Sequence, residues 1–116
     1  MCIKKLIGET SEYEKKEMLE IKKPKSWLKS VSAFANGIGG TLIFGISDSD
    51  TIIGLSDAKR DAEIISEQIK TKLDPIPEVN LRFHATEDGK ELIILQVAQG
   101  KETPYYYIGD GNRQTF

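Results

Sequence analysis

Ser32-Ala33-Phe34-Ala35-Asn36-Gly37-Ile38-Gly39-Gly40-Thr41-Leu42-Ile43-Phe44-Gly45-Ile46-Ser47-Asp48 passes from helical spacing through a glycine-rich corner into an apolar strand that ends on a carboxylate. Just upstream, Trp27, Leu28, Val31, Phe34 and Ala35 recur at positions that share one face of a helix, with Lys29, Ser32 and Asn36 elsewhere. Such a face has to be buried. Downstream, Leu42, Phe44 and Ile46 point to one side of an extended chain and Thr41, Ile43 and Gly45 to the other. Neither side is strongly polar, so the strand is expected at the centre of a sheet, covered on both faces. Gly37, Gly39 and Gly40 offer the left-handed conformations that a helix stop and a tight reversal use.

Outward from this core, Pro24 suits the first turn of a helix running from about Lys25 to Asn36. Residues 9–20 hold five glutamates and two lysines, which reads as a loop leading into a short strand near Met18 to Lys22. After the central strand, Asp48-Ser49-Asp50 is turn chemistry, and Thr51 to Leu55 is expected to return beside it as a hairpin strand. Ser56 is placed to cap a second helix on which Ala58, Ala62, Ile65, Ile69 and Leu73 share a face, stopped by Asp74-Pro75. From Val79 to Thr86 alternation is strict, putting Val79, Leu81, Phe83 and Ala85 on one side. Asn80, Arg82, His84 and Thr86 then form a wet face. Glu87-Asp88-Gly89-Lys90 turns this strand back through Leu92 to Val97. Tyr105-Tyr106-Tyr107, the turn Gly109 to Asn112 and a return from Arg113 complete the chain. The reading is an α+β domain: a mixed, mostly antiparallel sheet of about five to six strands packed with two main helices. Because the last strand has little room to finish, residues 1–116 are expected to be one domain from the N-terminal part of a longer protein.

At 116 residues the chain suits one core, and its 39% apolar and 29% charged residues are those of an ordinary globular protein. A net charge of −2 argues against nucleic-acid binding over the whole surface, yet the charge is uneven. No Asp or Glu occurs from Ile21 to Ser47, where Lys22, Lys23, Lys25 and Lys29 fall. The single cysteine, Cys2, forms no internal disulfide and has no ligand spacing around it, which points to a reducing, cytoplasmic setting. Met1 to Ile7 is too short and too charged for a secretory segment, and no apolar run approaches a membrane span.

Three features invite chemistry. The glycine corner follows a helix and precedes a strand, the reverse of a phosphate cradle at a helix N-terminus, and no Gly-x-x-x-x-Gly-Lys-Ser/Thr occurs, so it reads as a helix stop and ATP is not expected. The lysines from Lys22 to Lys29 could track a phosphate backbone, with Asn36 and Arg82 as further contacts. The bland alternative is a solvated helix start with Trp27 in the core, and His84 alone is ordinary polar surface. Glu20 and Asp48, each at the end of an expected strand, could meet as a divalent-metal phosphodiester site, although Asp after a strand is more often a turn former.

The residues Glu20-Ile21-Lys22, Val31 to Asn36, Gly39 to Ile46, Asp48 and Ile53-Gly54-Leu55 together resemble the Schlafen AlbA-type domain, once called a divergent AAA domain, over roughly Glu9 to Phe116. In bacterial relatives this domain opens transcriptional regulators that continue into an ATP-binding-like region and a winged helix-turn-helix. The resemblance therefore implies a DNA- or RNA-binding module, with the rest of its own chain or a second copy as further partners and no cofactor required for binding. For animal Schlafen relatives it implies an endoribonuclease using Mg²⁺ or Mn²⁺ on three acids. Two of these correspond to Glu20 and Asp48, while the third falls on Lys15, which removes charge from that site.

Overall fold

The structure is a computed structural model, described over residues 12–116; Cys2 and the opening residues lie outside the described part. A four-stranded sheet runs in the order β1-β2-β5-β4 and a small three-stranded sheet in the order β3-β6-β7. Strand β1 is Tyr13–Lys16, helix α1 is Lys25–Asn36, β2 is Gly40–Phe44 and α2 is Ala58–Lys72. Then follow β3 (Leu73–Asp74), β4 (Val79–Ala85), β5 (Glu91–Val97), β6 (Tyr106–Tyr107) and β7 (Gln114–Thr115). The fold is α+β and mostly antiparallel, as the patterning implied, with its strands divided between two sheets.

Strand β2 is central, parallel to β1 and antiparallel to β5. Its helix-facing residues Leu42 and Phe44 join Trp27, Leu28, Val31, Ala35, Ile65, Ile69, Ile93 and Leu95 in the main core. The opposite face is also closed, by Ile43, Ile46, Leu92 and Ile94, with Ile52 packed on them. Ile46 was expected beside Leu42 and Phe44, yet it joins Ile43. Gly45 is the reason: at φ 106° it breaks the two-residue alternation, and the N–H groups of both Gly45 and Ile46 donate to the Lys16 carbonyl.

Helix α1 ends as its sequence suggests, but with a different division of labour among the glycines. Gly37 has φ −104° and donates to the Ala33 and Phe34 carbonyls. Only Gly39 of the three adopts a left-handed φ, 87°, and a Cβ there would stand 2.8 Å from the Val97 carbonyl oxygen. Gly40 provides space instead, because a Cβ would lie 2.5 Å from the Phe34 ring.

Three local expectations are corrected. The strand expected at Met18 to Lys22 lies earlier, at Tyr13–Lys16, where Glu14 accepts from the Ser30 hydroxyl and the Lys16 ammonium donates to the Ser26 carbonyl, both on α1. The following segment is a turn anchored by Leu19 alone, with Met18 and Ile21 exposed. The expected hairpin strand from Thr51 shrinks to one bridge, Ile46 to Ile52, because Asp50 at φ 66° and the Ser47–Thr51 hydrogen bonds curl the loop tightly. Asp57, not Ser56, caps α2, accepting from the Arg60 N–H at 3.1 Å. Phe83 lies on the helix-facing side as its alternation implies, beside Ala62 and Ser66 of α2, and stays half exposed there because β4 is an edge strand. Among the described residues no helix is long and apolar enough to cross a membrane.

The corner makes a testable distinction. Gly39→Ala, which combines a left-handed φ with a backbone collision, is expected to lower stability by about 2 to 3 kcal/mol. Gly37→Ala, at a negative φ but with its Cβ 3.2 Å from the Ala33 carbonyl oxygen, should cost less than Gly39→Ala, by about 1 kcal/mol. Urea unfolding of the two variants checks this; equal losses would contradict it.

Candidate functional site

Two adjoining concavities lie where α1 begins. The first, about 620 Å³, is lined by Lys22, Lys23, Lys25, Lys29 and Lys72, with Tyr107, Asp110 and Phe116 opposite. Pro24 starts the helix, so Lys22 and Lys23 fall just before it, while Lys25 and Lys29 stand one turn apart on the side of α1 not used by the core. Lys72 arrives from the last turn of α2, and the pairing of Leu73 with Tyr107 brings β6 and its turn alongside.

Of these lysines, Lys25 is engaged. Its ammonium lies 2.9 Å from the Asp110 carboxylate and over the rings of Tyr107 and Phe116, 5.7 and 5.8 Å from their centroids. The hydrogen bond from Lys25 holds Asp110 below its usual proton affinity, whereas burial raises that of the Tyr107 hydroxyl. Among the described residues Lys22, Lys23, Lys29 and Lys72 have no carboxylate partner within ion-pair distance. The first turn of α1 carries no acidic residue either, so the positive end of its dipole adds to the same groove.

The second concavity, about 1080 Å³, shares Lys22 and Lys23 with the first and holds both Glu20 and Asp48. The structure thus brings the two acids into one cleft, although Glu20 lies in a turn rather than at a strand end. Lys15 faces the same space. Its ammonium donates to the Asp48 carbonyl and to the Asp50 carboxylate, both at 2.8 Å, and the hydrogen bond to Asp50 raises its proton affinity. Glu14, one residue earlier in β1, is turned to α1 by the strand's alternation. Among the described residues no group of three or more His, Cys, Asp or Glu side chains is placed to hold a metal. Two exposed carboxylates and an ion-paired ammonium do not fit a three-acid metal centre.

The other two candidates lie elsewhere. Arg82 sits on β4, the sheet edge opposite β1, paired with Ile94 on the face away from the helices, and lines neither concavity. The Asn36 amide is taken up structurally: its oxygen accepts from the Tyr105 N–H at 2.6 Å, and its nitrogen donates to the carbonyls of Tyr105 and Phe116 at 2.9 and 3.2 Å. Sequence reading missed Lys72, Tyr107, Asp110 and Phe116. Nothing local marks them, because only the pairing of β3 with β6 brings them to α1.

An α+β domain with helices on one sheet face and a lysine-lined groove at a helix start is the class these features define. The sequence profile of the Schlafen, AlbA_2 family matches residues 9–115, and the chain belongs to that family. Its fold is similar to the solution structure of the N-terminal domain of an ATP-dependent DNA helicase RecG-related protein from Nitrosomonas europaea, with a TM-score of 0.70 at 21% identity over 98% of this chain and 81% of that one. It is also similar to the crystal structure of the DIP2311 protein from Corynebacterium diphtheriae, with a TM-score of 0.54 at 18% identity; the match covers 92% of this chain and 22% of that one. No curated protein shows significant sequence similarity to the chain.

Replacing Asn36 separates holding from contacting. Asn36→Ala leaves the Tyr105 N–H without its acceptor, while the Tyr105 carbonyl keeps the Ser32 hydroxyl at 2.9 Å, and should destabilise by about 1 to 3 kcal/mol in thermal or urea unfolding. An unchanged unfolding midpoint would show that the amide is not the tie between α1 and β6.

Proposed function

We propose that this domain binds DNA or RNA by holding phosphates in the lysine groove, and that it serves as the N-terminal nucleic-acid-binding module of a larger cytoplasmic transcriptional regulator. The observation that supports this reading is the convergence of Lys22, Lys23, Lys29 and Lys72 on one groove that also receives the start of α1. Four lysines that have no carboxylate within ion-pair distance among the described residues, together with a helix dipole, make this groove an anion site. Membership of the Schlafen, AlbA_2 family, and a structural neighbour described as DNA helicase-related, point to the same class of ligand. Phosphate contacts position a strand without reading its sequence, so base selectivity is expected from other parts of a full-length regulator. By the family resemblance Lys15 falls at the position of a third metal-binding acid, and its ammonium is ion-paired with Asp50, which favours binding without hydrolysis in the mixed cleft.

Fluorescence anisotropy with labelled oligonucleotides tests the groove. Four phosphate contacts give a plot of log K against log salt with a slope of about −3. Lys22→Ala, Lys29→Ala and Lys72→Ala should each make that slope shallower by about 1. Asp110→Asn, which releases Lys25, should strengthen binding roughly fivefold at low salt and steepen the slope. Absence of binding at low salt, or a slope indifferent to all three lysines, would overturn the assignment. Chelating divalent metal should leave the affinity unchanged.

A further inference from the structure

We infer that the nucleic acid held here is single-stranded, with its phosphates along the lysine groove and its unpaired bases lodged in the adjoining mixed cleft. This rests on the phosphate-binding reading above and names the ligand's form. The two concavities meet at Lys22 and Lys23, which line both, so a backbone fixed by these ammonium groups has the larger cleft within reach of its bases.

The linings differ as phosphates and bases differ. The smaller groove sets five lysines against the single carboxylate of Asp110 and is cationic. In the larger cleft the lysines at its rim, Lys22 and Lys23, face Glu17, Glu20 and Asp48, and Lys15 is ion-paired with Asp50, so it is not a cationic surface like the groove. Instead it presents apolar surface: Tyr13, Met18 and Ile21 are 43%, 63% and 46% exposed, and all three line it. Scattered exposed apolar residues are commonplace, but three converging on one cleft of about 1080 Å³ are not scattered. A base offers two apolar faces and a polar edge. The faces suit Tyr13, Met18 and Ile21, and amino groups on the edge suit the exposed carboxylates of Glu20 and Asp48. In a duplex those faces are stacked and those edges paired, so it could use the lysine groove but would leave the cleft's apolar side chains in water.

The experiment uses the whole chain and four labelled ligands of equal length at 50 mM salt: single-stranded DNA and RNA of mixed sequence, the DNA duplex, and a DNA strand made abasic at every other position. The single strands should bind about tenfold more tightly than either the duplex or the abasic strand. The double variant Met18→Ser, Ile21→Ser changes exposed side chains only, and circular dichroism should show it folded. It should lower single-strand affinity toward that of the abasic ligand and leave duplex binding unaltered. A duplex bound as tightly as the single strand, an abasic strand bound as tightly as the intact one, or a double variant with undiminished single-strand affinity would each overturn the inference. If lysine-dependent, salt-sensitive binding persists in those cases, phosphate binding stands and only the single-strand form falls. Binding to none of the ligands overturns both.

Discussion

The seating of one face of α1 on the central strand is the contact on which the remaining geometry depends. Trp27 meets Phe44 edge to face at 6.0 Å and 86°, and Leu28, Val31 and Ala35 are fully buried around it. Each large side chain so buried stabilises the fold by about 1.5 to 3 kcal/mol relative to exposure. Once that face is committed, Lys25 and Lys29 have only the outer side left. Asn36, at the far end of the same helix, ties down Tyr105, and through it β6 and the turn that carries Asp110. A single helix therefore supplies lysines at its start and fixes, from its end, the wall that faces them.

Like charges gathered in one groove repel one another, and the protein offsets that only in part. Asp110 neutralises Lys25, whose ammonium also lies over the rings of Tyr107 and Phe116; among the described residues Lys22, Lys23, Lys29 and Lys72 have no carboxylate within ion-pair distance. The larger cleft is arranged otherwise, with Lys15 bound to the loop carrying Asp48 and Asp50 and the lysines at its rim facing carboxylates. Adjacent surfaces thus differ sharply in character, and the ligand best matched to both is itself divided into charged backbone and neutral bases.

Much of this architecture was legible in the chain because hydrophobic period is a strong signal where burial is complete. The spacing of Trp27, Leu28, Val31 and Ala35 gave α1 its bounds, and the unbroken apolar run from Leu42 to Phe44 marked a strand covered on both faces. The lysines before and within α1 were legible as a cluster for the same reason: fixing the helix fixes where they point. Illegible parts were those decided by backbone detail or by distant pairing. Gly45 reverses the face taken by Ile46, which alternation cannot foresee. Strand β1 has a sequence of mostly charged residues, and it exists because β2 offers it hydrogen-bonding partners and α1 offers Glu14 and Lys16 theirs. Asn36 read as a polar contact residue, whereas a neighbour sixty-nine positions away claims its amide. Arg82 and the lysines carry the same charge, but two strands, β2 and β5, separate β4 from β1.

Lys15 shows how one side chain can redirect a cleft. A divalent ion among three acids would polarise phosphate oxygens and acidify a bound water. An ammonium supplies one charge, keeps its protons, and here spends two of its hydrogen bonds on Asp48 and Asp50. Its proton affinity is raised by Asp50, so at neutral pH it remains a cation and serves as no base. Glu14 is directed to Ser30, and although Glu17 also lines the cleft, no three acids among the described residues are placed to hold a metal. The carboxylates of Glu20 and Asp48 then remain as exposed hydrogen-bond acceptors beside apolar side chains. That is a surface suited to engaging a base edge, and it requires no bond in the polynucleotide to break.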